Sequence, residues 1–296
     1  MDAELPRKYV PMHEEMIDRV RTRYGDHYDP GFFVPLSGGL DSSTVLTFAC
    51  QYADRVGWDR NDVHSTFCYR KNMYPAEEED MGYAEKLADE LGISLHLIDI
   101  SPLIEGLEHM ISYSGEALLD DDRICRSRAL TSRTFEEKLG KLSFDTGNFS
   151  EFLLGQWATG AYTGQIDFIN NLFKTEVREL AERISVPQYI ISRTKRSSEL
   201  RNGAVVENYD PVDPILFLFL LGKTPEQVAK IRGEDVESVR WIVNRAQNIM
   251  IRAYSGDPVV EISGTYLDPR NYYASKKQIN PLVEQLHQLR LKRWDG

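Results

Sequence analysis

Ser37-Gly38-Gly39-Leu40-Asp41-Ser42-Ser43 packs two glycines, three hydroxyls and one carboxylate into seven residues. Glycines let a backbone come close to a bound group, and N–H groups converging at a helix start favour an anion. The hydroxyls of Ser37, Ser42 and Ser43 can donate to phosphate oxygens. A carboxylate such as Asp41 beside phosphates makes sense when a cation lies between them, usually Mg²⁺. Gly-Gly alone reads as a turn followed by an N-capping residue, but the full string in its setting favours a phosphate site. Neither a Gly-x-x-x-x-Gly-Lys-Ser/Thr string nor a Gly-x-Gly-x-x-Gly string is present, which excludes the two commonest nucleotide fingerprints.

The surrounding pattern supplies the elements such a loop needs. Phe32 to Leu36 is a short apolar run ahead of the glycines, and Val45, Leu46, Ala49 and Ala53 share one face of a helix after them. His64 to Tyr69 and Ile93 to Ile100 read as further strands, separated by a helix over Asp80 to Leu91 that stops at Gly92. Strands alternating with helices imply βαβ units and a mainly parallel sheet covered on both faces. Pro35 sits awkwardly there, because a central strand loses a ladder hydrogen bond at proline. Lys174 to Ile184 forms another helical pattern with Pro187 beyond it. Thr224-Pro225-Glu226-Gln227 joins a capping box to a first-turn proline, and Glu234 to Tyr254 reads as a long helix.

The 296 residues carry 42% hydrophobic and 27% charged side chains, which excludes a disordered or collagenous chain. A formal net charge of −11 disfavours a phosphate backbone as partner. Cys50, Cys68 and Cys125 form no Cys-x-x-Cys pair, so neither a zinc site nor a disulfide framework is expected. Ile215 to Leu221, the longest apolar run, is too short to span a membrane. With no signal-like N-terminus, a cytoplasmic protein is expected. No repeat or linker divides the chain, which favours one α/β domain with helical additions.

The loop resembles the pyrophosphate loop of the ATP pyrophosphatases, which split ATP into AMP and pyrophosphate. Thr146-Gly147-Asn148-Phe149-Ser150-Glu151 resembles the Thr-Gly-Asn-Lys-Ser-Glu block of the ammonia-dependent NAD synthetases. Asn171 to Thr175, Val186-Pro187 through Leu200, and Tyr209-x-x-Val212-Asp213 continue the similarity. The resemblance implies a Rossmann-like, parallel-sheet PP-loop fold over residues 1–262, with a C-terminal extension over 263–296. It implies an ATP site built from Ser37, Gly38, Gly39, Leu40, Asp41, Ser42, Ser43, Arg126, Thr146, Lys174 and Ser197, with Arg128 completing an arginine pair. Asp41 and Glu151 would hold Mg²⁺, and Asp41, Lys174 and Ser197 would serve catalysis. The implied reaction adenylates the carboxylate of deamido-NAD and transfers ammonia to it, in a homodimer. The roughly 30 residues before the loop leave no room for a glutaminase, so free or delivered ammonia is the expected nucleophile.

Three segments depart from the family pattern. Tyr162-Thr163-Gly164-Gln165 stands where members show Gly-Asp-Gly-Gly, with Asp167 only approximately in register. Asn202 to Glu207 replaces an acidic stretch, and Asn248 to Arg252 replaces a His-Lys pair. The ATP half is thus expected to be kept and the acid half altered. A sister ligase acting on another carboxylate, or a non-catalytic adenine-nucleotide binder, are the alternatives. Asp120-Asp121-Asp122 reads as a solvated loop, His64 and His96 as strand polar residues, and Cys125 as a thiol without a base. Thr224 to Val243 reads as helices too acidic for DNA.

Overall fold

The computed structural model describes residues 5–24, 29–112, 120–156, 161, 164–193, 198–199, 205–206, 208–254 and 281–294. Its centre is a five-stranded parallel sheet in the order β3-β2-β1-β4-β5, formed by β1 (Phe32–Pro35), β2 (Val63–Tyr69), β3 (Ser94–Asp99), β4 (Leu142–Asp145) and β5 (Ile166–Asp167). The expected parallel α/β sheet is therefore present. Both faces are covered. Phe32 packs on Tyr52 and Trp58, whereas Phe33, pointing the opposite way, meets Phe135, and both phenylalanines are fully buried. Neighbouring apolar positions in such strands serve two cores at once.

Pro35 fits this central strand for a register reason. The Leu36 N–H donates to the Thr66 carbonyl of β2 at 2.9 Å, so the preceding residue faces β4, and pairing with β4 ends at Phe33. No ladder bond is lost at the proline.

The helices are α1 (Leu5–Tyr24), α2 (Leu40–Val56), α3 (Pro75–Leu91), α4 (Ser101–Ser112), α5 (Asp120–Leu139), α6 (Phe149–Leu154), α7 (Lys174–Arg183), α8 (Gln188–Ile191), α9 (Val212–Leu220), α10 (Pro225–Arg232), α11 (Val236–Tyr254) and α12 (Pro281–Trp294). Two short strands, β6 (Ser198–Glu199) and β7 (Val205–Val206), pair antiparallel. The expected solvated loop at Asp120-Asp121-Asp122 is corrected: the backbone there opens α5, a position where acidic residues are favoured by the helix dipole. Thr224 caps α10 as expected, accepting the Gln227 N–H while Gln227 accepts that of Thr224.

One core lies between the sheet and α1, α2, α7 and α12, and a second joins α6, α9, α10, α11 and Trp294. The apolar run from Ile215 is the buried helix α9, whose neighbours in the second core surround it. The expected boundary between residues 262 and 263 lies outside the described residues. Helix α12 itself packs into the first core through Leu282, Leu286 and Leu289. Among the described residues no helix is long and apolar enough to cross a membrane.

Candidate active site

The connection order reverses between β1 and β4, and open α/β sheets bind ligands at the carboxyl ends of strands beside such a switch. A cavity of about 860 Å³ opens there. Its lining includes Ser37, Gly39, Leu40 and Asp41 after β1, Thr146 and Asn148 after β4, and Glu151 and Lys174 from α6 and α7.

The phosphate-loop backbone is tightly specified. Gly38 has φ +74°, and a Cβ there would lie 2.2 Å from the Asp80 carbonyl oxygen, so only glycine fits. Arg193 donates to the Gly38 carbonyl at 2.8 Å and to Asp80 at 2.6 Å, with its guanidinium 4.3 Å from the Tyr83 ring. No side chain caps α2 at Gly39, which leaves its first-turn N–H groups for a ligand. Ser42 turns inward, accepting the Ser37 N–H at 3.0 Å and sharing a hydrogen with the Ser37 hydroxyl. Ser43 is fully buried. Ser42 thus braces the loop, while Ser37 borders the cavity.

Three helix starts then bring three charges together. Asn148 caps α6, accepting the Glu151 N–H at 3.0 Å, and its amide donates to Asp41 at 3.2 Å. The Lys174 ammonium contacts Asp41 and lies 3.1 Å from Glu151. Burial works against that ammonium, but the two carboxylates outweigh it and hold its pKa above the usual lysine range. Burial pushes the Glu151 carboxyl up against the pull of Lys174.

Behind these groups, Ser150 accepts the Lys174 N–H at 2.8 Å and donates to Asp213 at 2.6 Å. Asp213 also accepts the Thr175 N–H at 2.9 Å, and burial raises its pKa to about 7 despite these donors. One carboxyl on α9 thereby fastens the starts of α6 and α7.

The donor set suits a hard divalent cation. Two carboxylates already converge on one positive charge, supplied by Lys174. Among the described residues no cluster of three or more His, Cys, Asp or Glu could hold a metal. The chain would thus supply two carboxylates and leave the remaining positions to phosphate and water, the usual arrangement for Mg²⁺ with nucleotides.

The structure brings Ser37, Gly39, Leu40, Asp41, Thr146, Glu151 and Lys174 to one cavity. Arg128 lines it too and lies 3.6 Å from Glu77, whereas Arg126 on the same helix is not among the lining residues. Ser197 lies outside the described residues. Sequence reasoning missed Asp80 and Arg193, which no local pattern distinguishes from surface charges. The cavity is also lined by Phe152, Gln156, Asn170, Arg178 and Tyr209, with the Tyr209 hydroxyl donating to Gln156. Of the altered segments, Gln165 is built into the sheet edge: its side-chain oxygen accepts the Ser143 N–H at 2.7 Å, and its amide donates to Glu136. Gly164 passes so close to Asp145 that a Cβ would lie 2.1 Å from its nitrogen. Tyr162, Thr163, Asn202 to Ala204 and Glu207 lie outside the described residues, as do the side chains of Asn248 to Arg252. Cys68 and Cys125 both border the cavity, and burial lifts the Cys68 thiol to about 11. His64 and His96 are half-buried strand neighbours, 3.4 Å apart, with both pKa values lowered by burial.

A glycine-rich phosphate loop at the switch point of a parallel sheet, faced by a carboxylate pair and a lysine, defines a nucleotide site of the PP-loop type. Solved structures share the fold. The NH3-dependent NAD synthetase from Campylobacter jejuni, in complex with the nitrate ion, superposes with a TM-score of 0.63 at 21% identity, covering 88% of this chain and 98% of that one. The NMN synthetase from Francisella tularensis gives 0.60 at 20% identity, over 87% and 98%. Among curated sequences, the NH(3)-dependent NAD(+) synthetase of Methanocaldococcus jannaschii is 30% identical, covering 77% of this chain and 90% of that protein. That of Methanosarcina mazei is 31% identical, over 78% and 91%. The NAD synthase family model matches residues 13–251, and the chain belongs to that family.

Proposed function

We propose that this chain is an ATP-consuming, ammonia-dependent ligase that converts the carboxylate of deamido-NAD to the amide of NAD, releasing AMP and pyrophosphate. The observation that carries this is the meeting of Asp41, Glu151 and Lys174 at the head of the phosphate loop in a member of the NAD synthase family.

A carboxylate is a poor electrophile because oxide would have to leave. Its oxygen attacks the α-phosphorus of ATP, the acyl–phosphate bond forms, and the α–β bridge breaks to release pyrophosphate. Ammonia then attacks the acyl carbon, expelling AMP and a proton as the amide forms. The chain's part is positioning and charge. The N–H groups at the start of α2 and the hydroxyl of Ser37 receive the departing phosphates. Lys174 steadies their growing negative charge. Asp41 and Glu151 would hold Mg²⁺, which supplies Lewis-acid stabilisation of the pyrophosphate when bound. Thr146 and Arg128, which line the same cavity, extend the ATP site; Arg126 and Ser197 are assigned to it by resemblance alone. No protein nucleophile is needed, in keeping with a buried Cys68 thiol whose pKa burial raises. The enzyme works in the cytoplasm as a homodimer, and light scattering showing a monomer at micromolar concentration would remove that last element.

Purified chain given ATP, Mg²⁺, ammonium and deamido-NAD should yield NAD, AMP and pyrophosphate in equal amounts. ADP and orthophosphate as products would overturn the reaction class. The Gly164-Gln165 segment, spent on the sheet edge, favours a second reading in which a different carboxylate is adenylated. Pyrophosphate release dependent on another acid and not on deamido-NAD would select it.

A further inference from the structure

Helix α12 lies beyond residue 251, where the family match ends, yet it reaches the segment that carries Lys174. Arg290 is 1% exposed and Glu176 of α7 is fully buried. The Arg290 Nε lies 3.1 Å from Oε1 of Glu176, and Nη2 lies 2.9 Å from Oε2 while also donating to the Asn171 carbonyl. The guanidinium sits 4.6 Å from the Phe173 ring. Glu176 in turn accepts the Phe173 N–H at 2.8 Å and the Tyr9 hydroxyl at 2.9 Å. Asn171, Phe173 and Glu176 therefore all converge on one guanidinium, and Lys174 stands among them. One turn further on, Arg293 pairs with Glu179, so two arginines three residues apart meet two glutamates three residues apart. A buried ion pair is rarely worth more to stability than apolar packing of the same volume. What a forked guanidinium adds is fixed geometry.

We propose that Arg290 is a positioning residue for Lys174. By gripping Glu176 and the Asn171 carbonyl, it fixes the start of α7 so that the ammonium meets Asp41 and Glu151 at the phosphate loop. The inference rests on the ligase reading of that site. A helix start freed to shift by about an ångström would misplace a group that acts on the leaving pyrophosphate, and such errors lower turnover by about 100-fold. Because stabilisation of a leaving group is realised in the transition state, the loss falls on kcat more than on KM.

Arg290→Met alone strands a buried carboxylate, so the test variant is Arg290→Met/Glu176→Gln, which removes both charges, with Arg290→Lys as the conservative control. Thermal unfolding first sets a temperature at which all are folded. Pyrophosphate release is then expected to show kcat lowered about 10- to 100-fold in the double variant, KM for ATP changed less than threefold, and partial recovery in Arg290→Lys. A folded double variant with kcat within twofold of the unaltered chain would overturn the proposal, leaving α12 a purely structural strut. Mg²⁺-dependent binding of pyrophosphate, read by calorimetry, gives a second measure that needs no acid substrate. If the unaltered chain forms no amide, the ligase reading fails; the positioning role is then supported by tenfold weaker pyrophosphate binding in the double variant and overturned by equal binding.

Discussion

Replacing Asp213 with asparagine should change how stability depends on pH, in a direction fixed by the burial of this carboxyl. Asp213 is fully buried, accepts from Ser150 at 2.6 Å and from the Thr175 N–H at 2.9 Å, and has its pKa raised from 3.8 to about 7. Below about pH 4 the carboxyl is protonated both folded and unfolded, and exerts no pull on the equilibrium. Between about 4 and 7 the folded chain holds a proton that the unfolded chain has lost, so stability falls as pH rises. Above about 7 both states are ionised and the penalty is complete. At about 1.4 kcal/mol for each tenfold change in proton affinity, it amounts to on the order of 4 kcal/mol. Asparagine mimics the protonated acid and cannot ionise. Urea unfolding at several pH values from 5 to 8.5 should show the difference between Asp213→Asn and the unaltered chain moving in the variant's favour as pH rises, because other carboxylates cancel in the comparison. Parallel curves would refute the reasoning and mean that the two donors keep Asp213 ionised throughout. Asp213→Ala, by contrast, leaves the Thr175 N–H and the Ser150 hydroxyl without their acceptor, and should destabilise by about 2–6 kcal/mol at low pH, where Asp213 is protonated in both states, the difference shrinking as pH rises.

Gly38→Ala should weaken Mg·ATP binding about tenfold or more in calorimetry, since φ +74° and a contact of 2.2 Å with the Asp80 carbonyl force the loop to move; unchanged binding would show that the loop does not hold the phosphates. Glu151→Gln keeps the shape of α6 and the Asn148 cap, so the fold should survive while pyrophosphate release falls by about 100-fold or more. Turnover within threefold of the unaltered chain would remove Glu151 from the metal site.

How much of this was legible in the sequence depended on where the physical signal lay. The phosphate loop was readable because its chemistry is local: glycines, hydroxyls and a carboxylate must sit within one turn to meet one anion. Glu151 and Lys174 were singled out by resemblance alone, and the fold brings both to the cavity in the first turns of α6 and α7. The groups that hold these residues were not. Arg193, from the segment after α8, donates to the Gly38 carbonyl and to Asp80 of α3, 113 residues away, whose own carbonyl crowds Gly38, and nothing in their own neighbourhoods marks them. Asp213 was visible as part of a motif, but its role needed the folded distances to Ser150 and Thr175. Arg290 lies in the stretch read only as a C-terminal extension, and tertiary packing buries it. The acidic triplet was misread for the opposite reason: three carboxylates in a row suggest solvent, yet a helix start accepts them just as well.

The proposed site would have to let a chain of net charge −11 receive a polyphosphate. At long range that charge repels an anion, but exposed charges are screened beyond about 8–10 Å in physiological salt, so the local field decides. Here α2, α6 and α7 all begin at the cavity, each presenting the positive end of its dipole. Asp41, Glu151 and Lys174 occupy their first turns. Two carboxylates and one ammonium leave a residual negative charge, which the helix starts offset. A triphosphate added without its own cation would upset that balance and face both carboxylates directly. On the proposed reading, a divalent cation brought with the triphosphate would lie between it and the two carboxylates and offset much of that repulsion. On that reading the two carboxylates would favour the nucleotide in its metal-bound form over the free one.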